Sequence, residues 1–395
     1  MARWSVVLMC FSLATSRSLF ALTGVLVFAG LLLEGQWRDK WLLLKKNVPA
    51  LAVVAMVAWF YASAWWTEAT PSTWERASNV HWKLLLIPAV VLLIQDERWR
   101  NRCWTGFGAG VLVLLAHVYA LVFMVLPWTS TQNPDEVFYN PLPQSLALTI
   151  FCAGCLSAFF TTSSRVKKAG LTLAFVLASF AVLNISEQRL GYLMWLVGCL
   201  TVVFIQLKNS PRLRAWSLLA FLVCCVLVFM SNEIMQNRLG LAVQEIQNYH
   251  FENDYTSVGS RLHMWYSSAG FIQQAPLLGH GMGAYPVVSE AHFQDPEMCL
   301  HGCRHPHNQY VFYIVEFGLV GLALLMFVLY QSFLKHRPMS PESTMPLVVL
   351  VVFVLSSLVE TTLWYRGFLY LFVPLLALSM LGPNKPPDER MGEAR

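Results

Sequence analysis

Long apolar runs recur from one end of this chain to the other, and they restrict its folding more than any other feature. One of the clearest extends from Gln309 to about Phe333 with a single carboxylate, Glu316. At 1.5 Å per residue, a helix of that length crosses a hydrocarbon layer of about 30 Å. Twelve candidate spans follow from the same reading, at roughly 4–15, 19–33, 48–66, 82–94, 106–126, 143–160, 169–185, 191–206, 215–231, 308–333, 346–361 and 367–381. The first, fourth and last are short and need tilt or interfacial ends to reach across. No small-x-small cleavage site follows the first run, which reads as a retained span. Lipid offers backbone groups no partners, so the expected fold class is all-α: a polytopic membrane protein of about 12 transmembrane helices. Composition agrees, since only 12% of residues are charged against about 25% in soluble domains.

Charge sets the topology. With a cytoplasmic N-terminus, most of the 27 lysines and arginines fall on the cytoplasmic side, in clusters such as Arg38, Lys40, Lys45, Lys46 and Arg98, Arg100, Arg102. Eight fall elsewhere: Arg17, Arg76, Lys83, Arg189, Arg238, Arg261, Arg304 and Arg366. The positive-inside rule then puts both termini in the cytoplasm and the long polar segment near 232–306 outside. Four parts result: helices one to nine over 1–231, an outer loop domain over 232–306, three further helices over 307–381 and a tail over 382–395. A net charge of +5 reflects this asymmetry and is too small to indicate nucleic-acid binding.

Where the outer loop meets the membrane stands His307-Asn308, followed after nine residues by Gly318-Leu-Val-Gly321. An imidazole at such a border titrates near neutrality and can accept a proton from a hydroxyl. Gly318 and Gly321, one turn apart, leave a notch for close approach of another helix. Arg189 follows a short outer turn, and its planar fork suits phosphate oxygens. Within the loop, 232–250 has helical spacing, and a second helix begins near Ser257 with Ser257 or Ser260 as cap. Arg261 falls near that helix's positive end, where an anion is favoured. Gly279, Gly281 and Gly283 alternate after Pro276 and can bring amides close to an anion, though a loop turn explains them equally. Cys299 and Cys303 are open to a disulfide, free thiols or metal; the five Cys and His side chains in 299–307 are crowded for a zinc site. His117 reads as a packing histidine. Glu316 and Glu360 read as structural carboxylates, either able to pair with an arginine or orient a neighbour, with Glu360 close in sequence to Arg366. Asp254, Asp295 and Glu297 in the loop are assigned nothing by spacing.

His-Asn, nine residues, Gly, two residues, Gly resembles the pattern of the membrane O-antigen ligase and O-antigen polymerase superfamily. An Arg-x-x-x-Trp (Arg261, Trp265) and then a Gly-x-Gly-x-Gly segment precede it in the same order. The resemblance implies a glycosyltransferase of the Gram-negative inner membrane with a periplasmic active site. Its donor would be an undecaprenyl-pyrophosphate-linked O-antigen, used without metal, nucleotide or other cofactor. By position, Arg189 and Arg261 would bind the pyrophosphate and His307 would take the acceptor proton. Asn308, Gly279, Gly281, Gly283, Gly318 and Gly321 would support them. The partners implied are this donor, lipid A–core as acceptor, and membrane lipids. Within the family, ligase stands first, polymerase second and protein O-oligosaccharyltransferase third. A transporter or flippase is the rival from another class, but no half-to-half repeat is visible.

Overall fold

The computed structural model describes residues 2–124, 133–137, 140–248, 256–293, 299, 303–337 and 339–383. Among these no strand occurs, as expected where apolar backbone can pair only along its own helix. The first half comprises α1 (Ala2–Ser12), α2 (Arg17–Leu33), α3 (Trp37–Lys46), α4 (Val48–Ala62), α5 (Pro71–His81), α6 (Leu86–Leu93), α7 (Glu97–Phe123) and α8 (Pro141–Thr161). It continues with α9 (Arg165–Phe180), α10 (Arg189–Gln206), α11 (Pro211–Ser231), α12 (Glu233–Gln247), α13 (Ser257–Gln274) and α14 (Tyr285–His292). The last three are α15 (Gln309–Leu334), α16 (Thr344–Ser356) and α17 (Arg366–Ser379).

Seven of the described helical segments are long and apolar enough to cross a bilayer, or eight if the pair α2 and α3, bent by 116°, forms one broken span. The expected spans at 4–15, 346–361 and 367–381 correspond to shorter apolar helices. The one expected at 82–94 is split into a 3₁₀ turn and the eight residues of α6. Periodicity alone does not register that bend or that split. The molecule is a polytopic helical membrane protein.

Small residues let helices close up. A Cβ at Gly110 would lie 2.1 Å from the Phe11 carbonyl oxygen, so α7 can press on α1 only because that position is bare. Helix α4 packs along α15, α8 is held between α9 and α10, and α16 bridges α10 and α17. Deep beside α15, Phe60 stacks on Phe317 with centroids 3.8 Å apart, and His81 and Tyr313 close around them.

The break in α15 matters most for the site end. Gly318 has φ 66° and ψ −170°, so the helix ladder is interrupted inside an apolar span. Carbonyls freed there need donors. They receive them from the loop after α13: His280 N–H to Val315 O at 2.9 Å and Gly281 N–H to Glu316 O at 2.8 Å, with Trp59 Nε1 to Phe317 O at 3.1 Å. In return, Leu319 N–H donates to Pro276 O at 2.9 Å. The notch expected at Gly318 is filled by this loop: a Cβ there would lie 2.1 Å from Leu277 O. A Cβ on Gly321 would lie 2.3 Å from the Phe317 Cβ of its own helix.

Candidate functional site

Two strands of chain are tied side by side at the start of α15. Asn308 is the helix N-cap: its side-chain oxygen accepts from Tyr310 and Val311 N–H at 3.0 Å, and its amide donates to Leu358 O at 2.9 Å. Gln309 N–H donates to Ser357 O, and Leu363 N–H donates to the Gln309 side chain. The turn 357–365 between α16 and α17 is thereby fixed against the cap and the first helical residue, next to His307. His307 itself has φ 49°, a backbone region uncommon outside glycine.

That turn carries Glu360, and Glu360 joins two of the expected residues. Its Oε2 lies 3.0 Å from His307 Nδ1, and its Oε1 accepts from Arg261 Nη2 at 2.9 Å. The carboxylate is 5% exposed, against 27% for the His307 side chain and 26% for Arg261. Burial alone would push the Glu360 carboxyl up; the His307 hydrogen bond and the His307 and Arg261 charges outweigh it and hold the group below the usual carboxylate range. An ionised carboxylate only accepts, so Nδ1 of His307 donates to Glu360, and Nε2 is the ring nitrogen that Glu360 does not engage.

Helix α13 supplies the second wall. Its N-cap is Thr256, not Ser257 or Ser260; the Thr256 hydroxyl accepts from Gly259 N–H at 3.1 Å. One turn apart on the helix, Arg261 reaches Glu360 while Trp265 Nε1 donates to Pro306 O at 2.9 Å. The spacing of Arg261 and Trp265 thus lets one helix face hold both the carboxylate and the backbone just before His307. Arg261 also donates through Nη1 to the Ser257 carbonyl at 2.8 Å and hydroxyl at 2.7 Å, which fixes the guanidinium plane.

Arg189 starts α10 and reaches α12, where its Nη2 lies 3.3 Å from Glu245 Oε1. The other Glu245 oxygen accepts from Val258 N–H in the first turn of α13 at 3.1 Å. Polar contacts therefore run from Arg189 through Glu245 and the first turn of α13 to Arg261, Glu360 and His307. Arg261 and His307 meet on one carboxylate; Arg189 joins them through α12.

His305 lies beside His307 with ring centroids 4.3 Å apart and planes tilted by 59°, and it bonds Thr361 at 3.2 Å through Nδ1. Burial, then the neighbouring His307 charge, pushes the His305 imidazole down to about 3, so it is neutral. Cys299 and Cys303 are joined in a disulfide, and Met264 and Phe293 pack against it. Of the alternatives for these cysteines the structure takes the disulfide. His301, Asp254, Asp295 and Glu297 lie outside the described residues.

The alternating glycines hold a side-chain carboxyl group of the protein's own. Gly283 and Tyr285 N–H donate to Glu316 Oε1 at 3.1 and 3.4 Å, and Gly279, Gly281 and Gly283 all have positive φ. These amides seat the loop on α15, which also explains Glu316, a carboxylate buried within the helix. Sequence reasoning had no sight of Glu245 as a partner for Arg189, and it set Glu360 beside Arg366. The available signal was a carboxylate at the outer end of an apolar run, where an unpaired charge is costly.

Comparison with known proteins bears on the same residues. A family model described as O-antigen ligase matches residues 173–326, a segment that includes Arg189, Arg261, Arg-x-x-x-Trp and His307 and stops before Glu360. A protein of Haemophilus influenzae, itself described only as uncharacterised, is 31% identical over 103 residues, which is 25% of this chain and 26% of that protein. The match therefore spans about a quarter of that relative's length.

Proposed function

We propose that the chain, similar over residues 173–326 to the O-antigen ligase family model, is a member of that superfamily and transfers O-antigen polysaccharide from undecaprenyl pyrophosphate to lipid A–core on the periplasmic face of a bacterial inner membrane. The observation that carries this reading is the carboxylate shared by Arg261 and His307. It orients a histidine whose Nε2 is left to accept a proton, and it sets a guanidinium one ion pair away from that base. General base and anion binder thus come as one unit.

The acceptor hydroxyl oxygen attacks the anomeric carbon, forming the new glycosidic bond. Its proton passes to His307 Nε2, and the bond from that carbon to the pyrophosphate oxygen breaks with the electron pair leaving on phosphate. Arg261 and Arg189 stabilise the charge that grows there, since planar forks match phosphate oxygens. Direct displacement inverts the anomeric centre. No step draws on a metal or nucleotide. In this reading Glu245 occupies, on Arg189, the place that a donor phosphate oxygen takes.

The test is made in cells and on the purified protein. A strain without the gene is expected to accumulate lipid-linked O-antigen and to carry bare lipid A–core, with the wild-type gene restoring long chains. His307→Ala should reach the membrane and bind donor yet transfer about 10²–10⁴-fold more slowly, the usual loss for a general base. Cores bearing a single repeat in the deletion strain would instead identify a polymerase, and full complementation by His307→Ala would end the assignment of the base.

A further inference from the structure

Helix α3 stands apart from the bundle in its direction and in what it exposes. It follows α2 at a bend of 116°, and its last residue is pinned to the bundle end away from His307. There the His336 ring, just past α15, bonds Ser379 O at 2.8 Å, and Asn47, the C-cap of α3, donates through Nδ2 to Met380 O at 3.0 Å. Asn47 is also the N-cap of α4, where its side chain accepts from Ala50 N–H at 3.2 Å. The 10 residues of α3 thus join the end of one span to the start of the next and run along the membrane face, not across it.

The two sides of α3 treat charge differently. Lys40 and Leu44, one turn apart, are buried against the protein, and the inward cation is matched there: Lys40 Nζ donates to Leu31 O at 2.8 Å and lies 3.4 Å from Glu34 Oε2. The outward cations are not matched. Arg38, Lys45 and Lys46 are exposed, and none of them enters an ion pair among the described residues. With Leu42 they stand at positions i, i+4, i+7 and i+8, which is one face of a helix. Lys45 Nζ rests 5.0 Å from the centroid of the Trp41 ring, a contact that engages no anion. Trp37 and Trp41, exposed one turn apart, form the adjoining stripe, and such rings sit at headgroup level. Asp39 is the single carboxylate of the helix, so cations prevail on the outward side. A basic face beside an aromatic stripe, on a helix lying along the membrane, complements a layer of anionic headgroups. We propose that α3 is an interfacial helix that binds an anionic glycerophospholipid, phosphatidylglycerol, with phosphate drawn to the face of Arg38, Lys45 and Lys46 and acyl chains against Trp37 and Trp41.

Native mass spectrometry of the full-length protein, titrated with phosphatidylglycerol and phosphatidylcholine of equal chain length, tests it. Phosphatidylglycerol should bind more tightly. Arg38→Gln combined with Lys46→Gln should weaken it about 25-fold, at about fivefold for each charge near an anionic surface, and leave phosphatidylcholine binding in place. Both side chains are exposed, so the substitutions leave the packing of α3 intact. Arg165→Gln combined with Lys167→Gln removes two exposed cations at the start of α9 and should leave phosphatidylglycerol binding nearly unchanged. Trp37→Ala should weaken both lipids alike. Equal losses in the two double variants would mean that net charge alone attracts the lipid, and they overturn the proposal, as does equal binding of the two lipids by the wild type. A dimer that dissolves in the Arg38→Gln, Lys46→Gln variant would place a second copy of the chain on this face and overturn it as well.

Discussion

Glu360 is where the chemistry of this site concentrates, and its behaviour with pH can be worked out from its partners. Its folded-state pKa is held below the ordinary value, about 4.3 for a free glutamate. The stability it contributes is therefore complete above that value and is lost as pH falls through the lower folded one. Glu360→Gln should melt lower than wild type at pH 7, with the gap narrowing below about pH 4.3; scans of purified protein across pH measure this, and a gap constant to pH 3 would remove the ion pair from the account. Transfer by the variant should fall at least about tenfold, because His307 loses the acceptor that fixes its tautomer. His305 works in the opposite sense. It is neutral in the fold, pushed down to about 3 by burial and His307, while unfolded chain takes up a proton near 6.5. Wild-type stability should thus decline as pH drops below about 6.5, and His305→Asn should flatten that slope.

At the scale of elements, the turn 357–365, helix α13 and the break in α15 hold the site together. Gly318→Ala puts a Cβ at φ 66° and within 2.1 Å of Leu277 O. With ψ −170° this is a backbone region essentially confined to glycine, which costs another residue about 1–3 kcal/mol, and the clash adds to it while pushing the loop 276–283 off α15. The expected outcome is a markedly lower melting temperature, whereas Gly170→Ala, with open space around it, should change little. Helix α12 offers a separate test. Glu245→Gln keeps an oxygen for Val258 N–H but removes the charge that competes for Arg189, so donor should bind several-fold more tightly; weaker donor binding would mean that Glu245 positions Arg189 instead. Much of this was legible in the order of residues. Apolar length gave the helices, and the border of loop and membrane gave His307 and Arg261. The break at Gly318 was hidden because hydrophobic periodicity runs straight through it. That Glu360 pairs with an arginine and orients a neighbour was legible, but not which ones, because Arg261 lies 99 residues away and spacing pointed to the nearer Arg366. Thr256 lost to its serine neighbours as cap because any of the three hydroxyls fits the pattern.

For the molecule as a whole, the proposal depends on which side of the membrane His307 faces, and two independent features point the same way. Basic residues cluster on one side by sequence, and the loop 335–343 at the far end of α15 carries Lys335 and Arg337. At the opposite end, a few residues before His307, Cys299 and Cys303 form a disulfide, a bond that persists in oxidising compartments and not in the cytosol. Either feature alone could mislead, since orientation rules count charges only near the span ends and a bond within a tight turn closes easily. Together they support the proposed orientation, in which α15 runs from an oxidising exterior into the cytoplasm. A reporter fused after Pro338 should therefore give a cytoplasmic signal, and one inserted within 245–255 a periplasmic signal. The enzyme alkaline phosphatase, active only outside, and a fluorescent protein that matures only inside, make the two readings complementary. Same-side signals would put Arg189, Arg261 and His307 in a compartment without the acceptor, and the transfer proposed for them would have no substrate to act on.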